Sequence, residues 1–376
     1  MLPSYSHISR LFLRARNLWP LLCLGLSGCA TVSYYTESVG GHLRILHAAR
    51  PIDDWLVDPN TPPALKVRLN EVKQIRAYAS DKLGLPDNES YRTYADLHRP
   101  FVVWNVFAAP ALSLDLKSWC FPVAGCVSYR GYFNPDEAKA YARDLASEGW
   151  DVEVAGIPAY STLGWTPDPI LSTFIDYPEG EVARLIFHEL AHQLLYVAGD
   201  STFNESFAST VEQVGVDRWL ATQPDPEIRT RYQRFDARHK AFLELLITAR
   251  ARLEEVYASS VSDAEKRDRK AEVFRNLHER YLKAKSDPAS PLYQYGGYEG
   301  YFAQDLNNAH LAAIATYTQR VPAFVKLLDE EGGDLPRFYA AVRALARLPE
   351  AERNARLDEL ENASGALTTT TRRQSG

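Results

Sequence analysis

The spacing of apolar side chains divides the chain into a mixed first half and a helical second half. In the first half, apolar residues recur at helical spacing over residues 65–83, and Gly84 predicts the end of that helix. Pro135 suits the first turn of another helix, which runs to about Gly149. Stretches rich in β-branched and aromatic residues predict strands at 101–109, 127–133 and 151–156.

From Glu181 onward the pattern is helical. It predicts helices at 181–198, 202–220, 226–259, 262–285, 300–317 and 322–346. A small sheet followed by helices predicts an α+β fold in one composite domain, residues 29–363.

Two segments of this second half stand out by their polar residues. Residues 226–285 mix charges of both signs, and Ser262 with Glu265 forms a capping box at the start of the second arm. This segment is therefore predicted to be a solvated helical hairpin. The Thr-rich tail, residues 364–376, is predicted to be disordered.

The N-terminus has the pattern of an export signal. Three arginines precede an apolar stretch from Leu18 to Leu26, and the small residues Ser27 and Gly28 follow. The ending Leu-Ser-Gly-Cys at residues 26–29 resembles the lipobox of bacterial lipoproteins.

That resemblance implies removal of residues 1–28 and a lipid on the sulfur of Cys29. The protein would then be anchored in the bacterial envelope and face the periplasm. Ala30, where an Asp would signal retention, favours the outer membrane. The alternatives are an ordinary signal peptide or a spare thiol at position 29.

The chain has 4 cysteines, and Cys23 would leave with the signal. With Cys29 carrying lipid, Cys120 and Cys126 remain, separated by a segment whose Pro and Gly suit a tight turn. An oxidising periplasm favours a disulfide between them. A metal-binding pair is the alternative, but no further cysteine completes a thiolate site.

The composition says more about the possible partners of the protein than about its fold. Apolar residues make up 46% of the chain, so a sizeable core is available. The formal net charge of −6 gives no reason to expect nucleic acid as a partner. Beyond the N-terminus no apolar run is long enough to span a membrane.

The strongest chemical signal is the sequence His188-Glu189-Leu190-Ala191-His192. Residues four apart on a helix share one face, so two imidazoles can reach one metal ion at about 2.0–2.1 Å. Glu189 can then act as general base toward a water molecule that the metal activates. The surrounding helix is apolar nearly all round and is predicted to be buried, so these polar groups need a partner. A metal would be one, and a network of other side chains is the alternative.

A third protein ligand must come from outside this helix. Gly199 predicts a break, and the next helix places Glu205 in its first turn. The residues alone leave two other readings open. Thr202 and Glu205 also form a capping box, and Glu212 lies on the same helix face as a second candidate ligand or as a group supporting one.

The sequence Asn-Glu-Ser-Phe-Ala at 204–208 resembles the third-ligand motif of the gluzincins, the relatives of thermolysin and aminopeptidase N. The resemblance implies a zincin-like fold and Zn²⁺ bound by His188, His192 and Glu205. One feature departs from the family: 12 residues separate His192 from Glu205, fewer than in the aminopeptidase N relatives.

The gluzincin resemblance also implies residues that bind substrate and stabilise the oxyanion. A strand before the zinc motif would pair with the substrate through Ser161, Leu163 and Gly164, although a turn around Gly164 explains this segment equally well. Gluzincins stabilise the oxyanion with a Tyr or His from the downstream helices, which points to His310 and Tyr317. A structural role in the core is the alternative for either residue.

Most of the mature chain resembles a family of bacterial lipoproteins labelled putative aminopeptidases. The matching stretches are residues 26–29, 119–122, 129–133, 159–165, the helix around 188–192 and 306–309. This implies a zinc aminopeptidase that acts on peptides or proteins. The alternatives are an endopeptidase that trims envelope proteins, or a non-enzymatic envelope-assembly or binding lipoprotein with a structural zinc. Glu189 argues against the last, because a structural site needs no base and usually closes its fourth position with protein.

Overall fold

A computed structural model of the chain describes residues 34–121, 125–318 and 320–374, and the side chains of 315–318 and 364–374 are not described. The predicted signal peptide and Cys29 lie outside this range. Within it, no helix has both the length and the apolar composition needed to cross a bilayer.

An antiparallel sheet forms the centre of the first half. Its middle strand β3 (Val103–Pro110) pairs with β6 (Arg130–Tyr132) on one side and with β7 (Trp150–Ile157) on the other. Helix α4 (Pro135–Ser147) packs on this sheet, where Val106, Tyr132 and Leu145 form a small apolar core. The strands predicted at 101–109 and 151–156 are thus present.

The other elements of the first half are short strands and three helices. They are α1 (residues 34–48), β1 (Arg50–Pro51), α2 (Ile52–Val57), α3 (Pro63–Asp81), β2 (Thr93–Ala95), β4 (Trp119–Phe121), β5 (Gly125–Val127) and β8 (Ile170–Leu171). Strand β2 lies between β1 and β8 in a second small sheet, and β4 and β5 form a hairpin.

The second half is helical, as predicted. Its helices are α5 (Glu179–Leu194), α6 (Ser201–Ala221), α7 (Pro226–Ala258), α8 (Asp263–Ser286), α9 (Glu299–Phe302), α10 (Asn308–Thr318), α11 (Val321–Glu330), α12 (Leu335–Ala346) and α13 (Glu350–Gln374). Helices α7 and α8 form the predicted hairpin, with its own apolar core. The predicted α+β class is confirmed.

Three boundaries differ from the predictions because local side chains or glycines interrupt an apolar pattern. The helix predicted at 300–317 is split into α9 and α10, since Asn307 Oδ1 accepts the Ala309 N–H at 3.0 Å and starts α10 anew. The helix predicted at 322–346 is split at Gly332 and Gly333, whose positive φ angles of 69° and 73° end α11. The strand predicted at 127–133 is divided between β5 and β6. In the tail, the backbone continues α13 to Gln374, where the sequence predicted disorder.

Helix α5 is enclosed by the main apolar core, as its apolar sequence predicted. Ile186, Phe187 and Leu190 are fully buried, and α3 and α6 pack against it. Gly215 allows the close approach of α6, because a Cβ at this position would lie 2.8 Å from the Phe187 ring. The core therefore fixes the relative position of α5 and α6, which carry the predicted metal ligands.

Candidate metal centre

The loop between α5 and α6 turns Glu205 back toward the histidines. Asp200 caps α6, because its carboxylate accepts the Phe203 N–H at 3.0 Å. The N-cap of α6 is therefore not Thr202, which the alternative capping box with Glu205 would require. The Asn204 side chain closes the loop by accepting from the Val197 N–H and donating to the Val197 carbonyl, both at 2.8 Å. Glu205, the next residue, is thereby held in the first turn of α6.

The three predicted ligands converge on one point. His188 Nε2 lies 3.1 Å from His192 Nε2 and 3.2 Å from Glu205 Oε2, and His192 Nε2 lies 3.5 Å from the same oxygen. A tetrahedral ion with bonds of about 2.0–2.1 Å separates its ligand atoms by about 3.3–3.4 Å. The three atoms therefore have the separation that one small metal ion requires.

The hydrogen-bonding groups of this cluster also fit a cation. His188 Nδ1 is paired with Glu212 Oε2 at 2.8 Å, which assigns the proton to Nδ1 and leaves the Nε2 lone pair facing His192. Nδ1 of His192 is buried and has no hydrogen-bond partner among the described residues. A cation would accept the two Nε2 lone pairs and the carboxylate together, so the donor set suits a metal ion of the borderline kind, such as zinc.

Glu212 supports the site by contacting Nδ1 of His188, the ring nitrogen that does not face His192 and Glu205. Both of its carboxylate oxygens accept from Nη1 of Arg184, at 2.7 and 2.8 Å, and Arg184 also pairs with Glu181. Glu212 is 6% exposed and points at Nδ1 of His188 rather than at the space among the three ligands. The structure thus separates the two carboxylates: Glu205 lies with Nε2 of the two histidines, as the gluzincin resemblance implied, and Glu212 contacts Nδ1 of His188.

The charges of the centre are strongly coupled. Burial opposes ionisation of His188, yet Glu212 and Glu205 raise the pKa of its imidazole well above the usual value. Burial likewise disfavours the Glu205 carboxylate, but His192 and His188 lower its pKa far below the usual range.

Glu189 lies beside the ligands without joining them. Within the described residues its carboxylate makes no hydrogen bond, and part of the side chain remains accessible. Burial raises its pKa, while the two histidines oppose that rise. A carboxylate with a raised pKa and no partner is suited to take a proton from water.

The segment predicted to contact substrate forms a turn rather than a strand. Asp168, which is 1% exposed, accepts hydrogen bonds from the Thr162 N–H and the Ser161 hydroxyl, and this folds the loop onto itself. Leu163 and Gly164 have positive φ angles of 58° and 79°, which no strand adopts. Of the two readings of Ser161, Leu163 and Gly164, the turn is therefore correct. The loop still borders α5, because Gln193 donates to Asp168 at 3.1 Å.

Of the two predicted oxyanion residues, the structure describes the side chain of His310 alone. His310 is buried on α10, where its Nδ1 meets Asn307 and its ring faces Tyr301 at 5.7 Å. Its described contacts include none with His188, His192 or Glu205. Tyr317 belongs to α10, but its side chain lies outside the part that the structure describes.

Two tyrosines that the sequence reasoning missed do lie near the carboxylates. Burial raises the pKa of Tyr129 strongly, and Glu205 and Glu189 raise it further, so its hydroxyl keeps the proton. Tyr196 is also influenced by Glu205, and its ring lies 6.3 Å from that of His192. Signals for both were present: Tyr129 begins one of the family-like stretches, and Tyr196 follows His192 at helical spacing.

The predicted disulfide joins Cys120 and Cys126 across the β4–β5 hairpin. The hairpin touches the loop between the two ligand helices. Gly125 has φ +73°, and a Cβ there would lie 2.6 Å from the backbone nitrogen of Gly199. The hairpin therefore supports the loop that positions Glu205.

Gly125→Ala should lower the free energy of unfolding by about 2 kcal/mol, because it adds a backbone clash to left-handed strain. Gly149→Ala is the matched control, since its φ is +91° but nothing lies within 4 Å of the added Cβ. Urea unfolding of both variants, with a zinc titration of each, measures the difference. Equal destabilisation and equal zinc affinity in the two variants would show that the hairpin contact has no such role.

The fold and the site together define an α+β protein with a candidate metal centre of two histidines and a glutamate on adjoining helices. A family model described as "Putative aminopeptidase" matches residues 33–357. The chain belongs to this family, which suggests peptidase activity and confirms the family resemblance of the sequence. Comparisons with curated proteins and with solved structures find no match.

Proposed function

We propose that the protein is a zinc-dependent aminopeptidase. The observation that carries the proposal is the convergence of His188 Nε2, His192 Nε2 and Glu205 Oε2 within 3.1–3.5 Å of one another, with Glu189 beside them. His188, His192 and Glu205 would hold the ion. Zinc, when bound, polarises a carbonyl group and lowers the pKa of a water molecule toward neutrality.

The protein residues supply the remaining steps. Glu189 takes the proton from the attacking water and passes it to the leaving amine, which a carboxylate with a raised pKa can do in both directions. Tyr129 keeps its hydroxyl proton next to Glu205 and Glu189, so it can donate a hydrogen bond to the oxyanion. Glu212 and Arg184 keep the His188 ring in place throughout.

The proposed location is the periplasmic side of the bacterial envelope, with a lipid on Cys29. The lipobox-like sequence at 26–29 supports the anchor. The Cys120–Cys126 disulfide supports an oxidising compartment.

The test is digestion of a peptide mixture by the full chain in detergent, followed by mass spectrometry. Loss of single N-terminal residues, absent after chelation and restored by zinc, is the expected result. Internal cuts with the same metal dependence would assign an endopeptidase instead. A zinc-loaded protein that cleaves no peptide in the mixture would overturn the enzymatic proposal.

A further inference from the structure

One face of helix α1 is both apolar and exposed. Tyr35, Val39 and Leu43 are 39%, 58% and 56% exposed. They follow one another at intervals of four residues, so they lie on one side of the helix and form an apolar stripe about 12 Å long. A helix face that meets water normally carries polar residues, so three aligned apolar side chains indicate contact with something other than water.

The opposite face of α1 is already occupied by the fold. The Tyr34 ring lies 5.3 Å from that of Tyr132, and a Cβ at Gly41 would lie 2.3 Å from the Phe133 ring. Ile45 is 2% exposed and belongs to the main apolar core. The helix is therefore held against the protein through these positions, and the apolar stripe faces outward.

The charges of α1 do not oppose contact with lipid. Glu37 is the one acidic residue of this helix, and it forms an ion pair with Arg44 at 3.2 Å. The Arg44 side chain is 71% exposed, and His47 is exposed as well. Apolar side chains beside exposed basic residues, with no uncompensated carboxylate, are typical of a helix that lies on a membrane surface.

The length of the chain before α1 determines how far this face can be from the proposed lipid. That lipid is on Cys29, and α1 begins at Tyr34, five residues later (34 − 29 = 5). A chain advances at most about 3.3–3.6 Å per residue, so five residues span no more than about 18 Å. With the lipid in the membrane, the start of α1 is thus held at the bilayer surface.

We propose that the apolar stripe of α1 lies on the lipid bilayer and inserts Tyr35, Val39 and Leu43 among the headgroups. The inference rests on the proposed lipid anchor at Cys29 and adds a second contact to it. Two membrane contacts hold a protein more stably than one. A lipid attached to one residue leaves the protein free to turn, whereas a helix lying on the surface also fixes its orientation.

This orientation extends to the candidate metal centre, because α1 contacts the loop beside it. His42 Nε2 lies 3.0 Å from the Thr166 hydroxyl, and His42 Nδ1 lies 2.5 Å from the Tyr160 hydroxyl. The same loop is joined to α5 by the hydrogen bond from Gln193 to Asp168. A bilayer that holds α1 therefore also determines the direction in which the metal centre faces.

The test is a depth measurement on the full chain in vesicles of phosphatidylethanolamine and phosphatidylglycerol. Leu43→Cys supplies a thiol for an environment-sensitive fluorophore, because the disulfide and the proposed lipid occupy the other cysteines of the mature chain. Its label should emit at shorter wavelength and be quenched by nitroxide-labelled lipid several-fold more strongly than a label at Leu282→Cys. Leu282, on α8, is the matched control, since it is a leucine of similar exposure, 51%. The parent chain, treated with the same fluorophore, reports any other reactive thiol.

A charge within the stripe should reverse this result. Val39→Asp places a carboxylate among the headgroups, so the label at Leu43→Cys should lose both its blue shift and its quenching. Val67→Asp on α3 is the matched control, because Val67 and Val39 are each 58% exposed, and it should leave the label unchanged. Circular dichroism should show the parental fold in both variants, since neither side chain is buried.

The proposal is overturned if the labels at Leu43→Cys and Leu282→Cys are quenched alike. A blue shift without quenching by the nitroxide-labelled lipid also overturns it, because the stripe is then covered by a second copy of the chain.

Mass spectrometry of the same sample separates this inference from the proposed anchor. A lipid on Cys29 with an unquenched label at Leu43→Cys keeps the anchor and rejects the membrane contact of α1. A quenched label without a lipid on Cys29 keeps the contact and rejects the anchor. Neither result depends on peptidase activity.

Discussion

Replacing Glu189 by glutamine is expected to lower kcat/KM for peptide hydrolysis by about 10³-fold or more while zinc binding stays unchanged. The amide occupies the volume of the carboxylate but cannot accept a proton from water. Glu189 is not one of the three converging groups, so its loss should leave the metal site intact. Steady-state kinetics together with metal analysis of the same sample separate the two effects.

The pH dependence gives this prediction a second readout. Burial raises the pKa of Glu189, and a base is inactive when protonated, so kcat/KM should fall as the pH drops through that raised value. The residual activity of Glu189→Gln should lack this acid limb. Glu148→Gln, an exposed Glu-to-Gln change, is the control and should keep both the rate and the limb. A Glu189→Gln variant with parental kcat/KM would exclude Glu189 as the general base.

The second large effect is expected at the third ligand. Glu205→Ala should prevent the protein from retaining zinc through gel filtration, because only two ligands remain. Glu212→Gln should lower zinc affinity by only about 10- to 100-fold, since its amide oxygen can still accept from Nδ1 of His188. Competition with a coloured chelator measures both variants on one scale.

This comparison decides between the two carboxylates that the sequence offered. If Glu212→Gln loses the metal and Glu205→Ala retains it, the assignment is reversed. Arg184 provides a check on the supporting role, because it pairs with Glu181 and Glu212 together. Circular dichroism of each variant is the control for unfolding, since Glu212 is buried among these groups.

The sequence determined that His188 and His192 share one helix face because this information is local. His188 and His192 share a helix face through the helical repeat alone, and the apolar residues around them predict the burial that the structure has. The same local reasoning found β3, β7, the α7–α8 hairpin and the cysteine pair, whose partners are close in the chain or follow from periodicity.

Local reasoning was insufficient where a contact between distant segments competes with it. The sequence predicted one helix through 303–307, but the Asn307 side chain donates a hydrogen bond to the Val152 carbonyl of β7, and the helix is interrupted there. The turn at Ser161 to Gly164 likewise depends on Asp168, whose buried carboxylate the pattern could not reveal.

The different places of Glu205 and Glu212 were decided by tertiary structure: the residues alone left the choice open, and the gluzincin resemblance favoured Glu205 without a physical reason. Glu205 and Glu212 are chemically identical and lie on the same helix. Only the packing of α6 on α5 directs one toward the ligands and the other toward Nδ1 of His188. The sequence of a helix determines which residues share one face, but only the packed core determines which groups that face contacts.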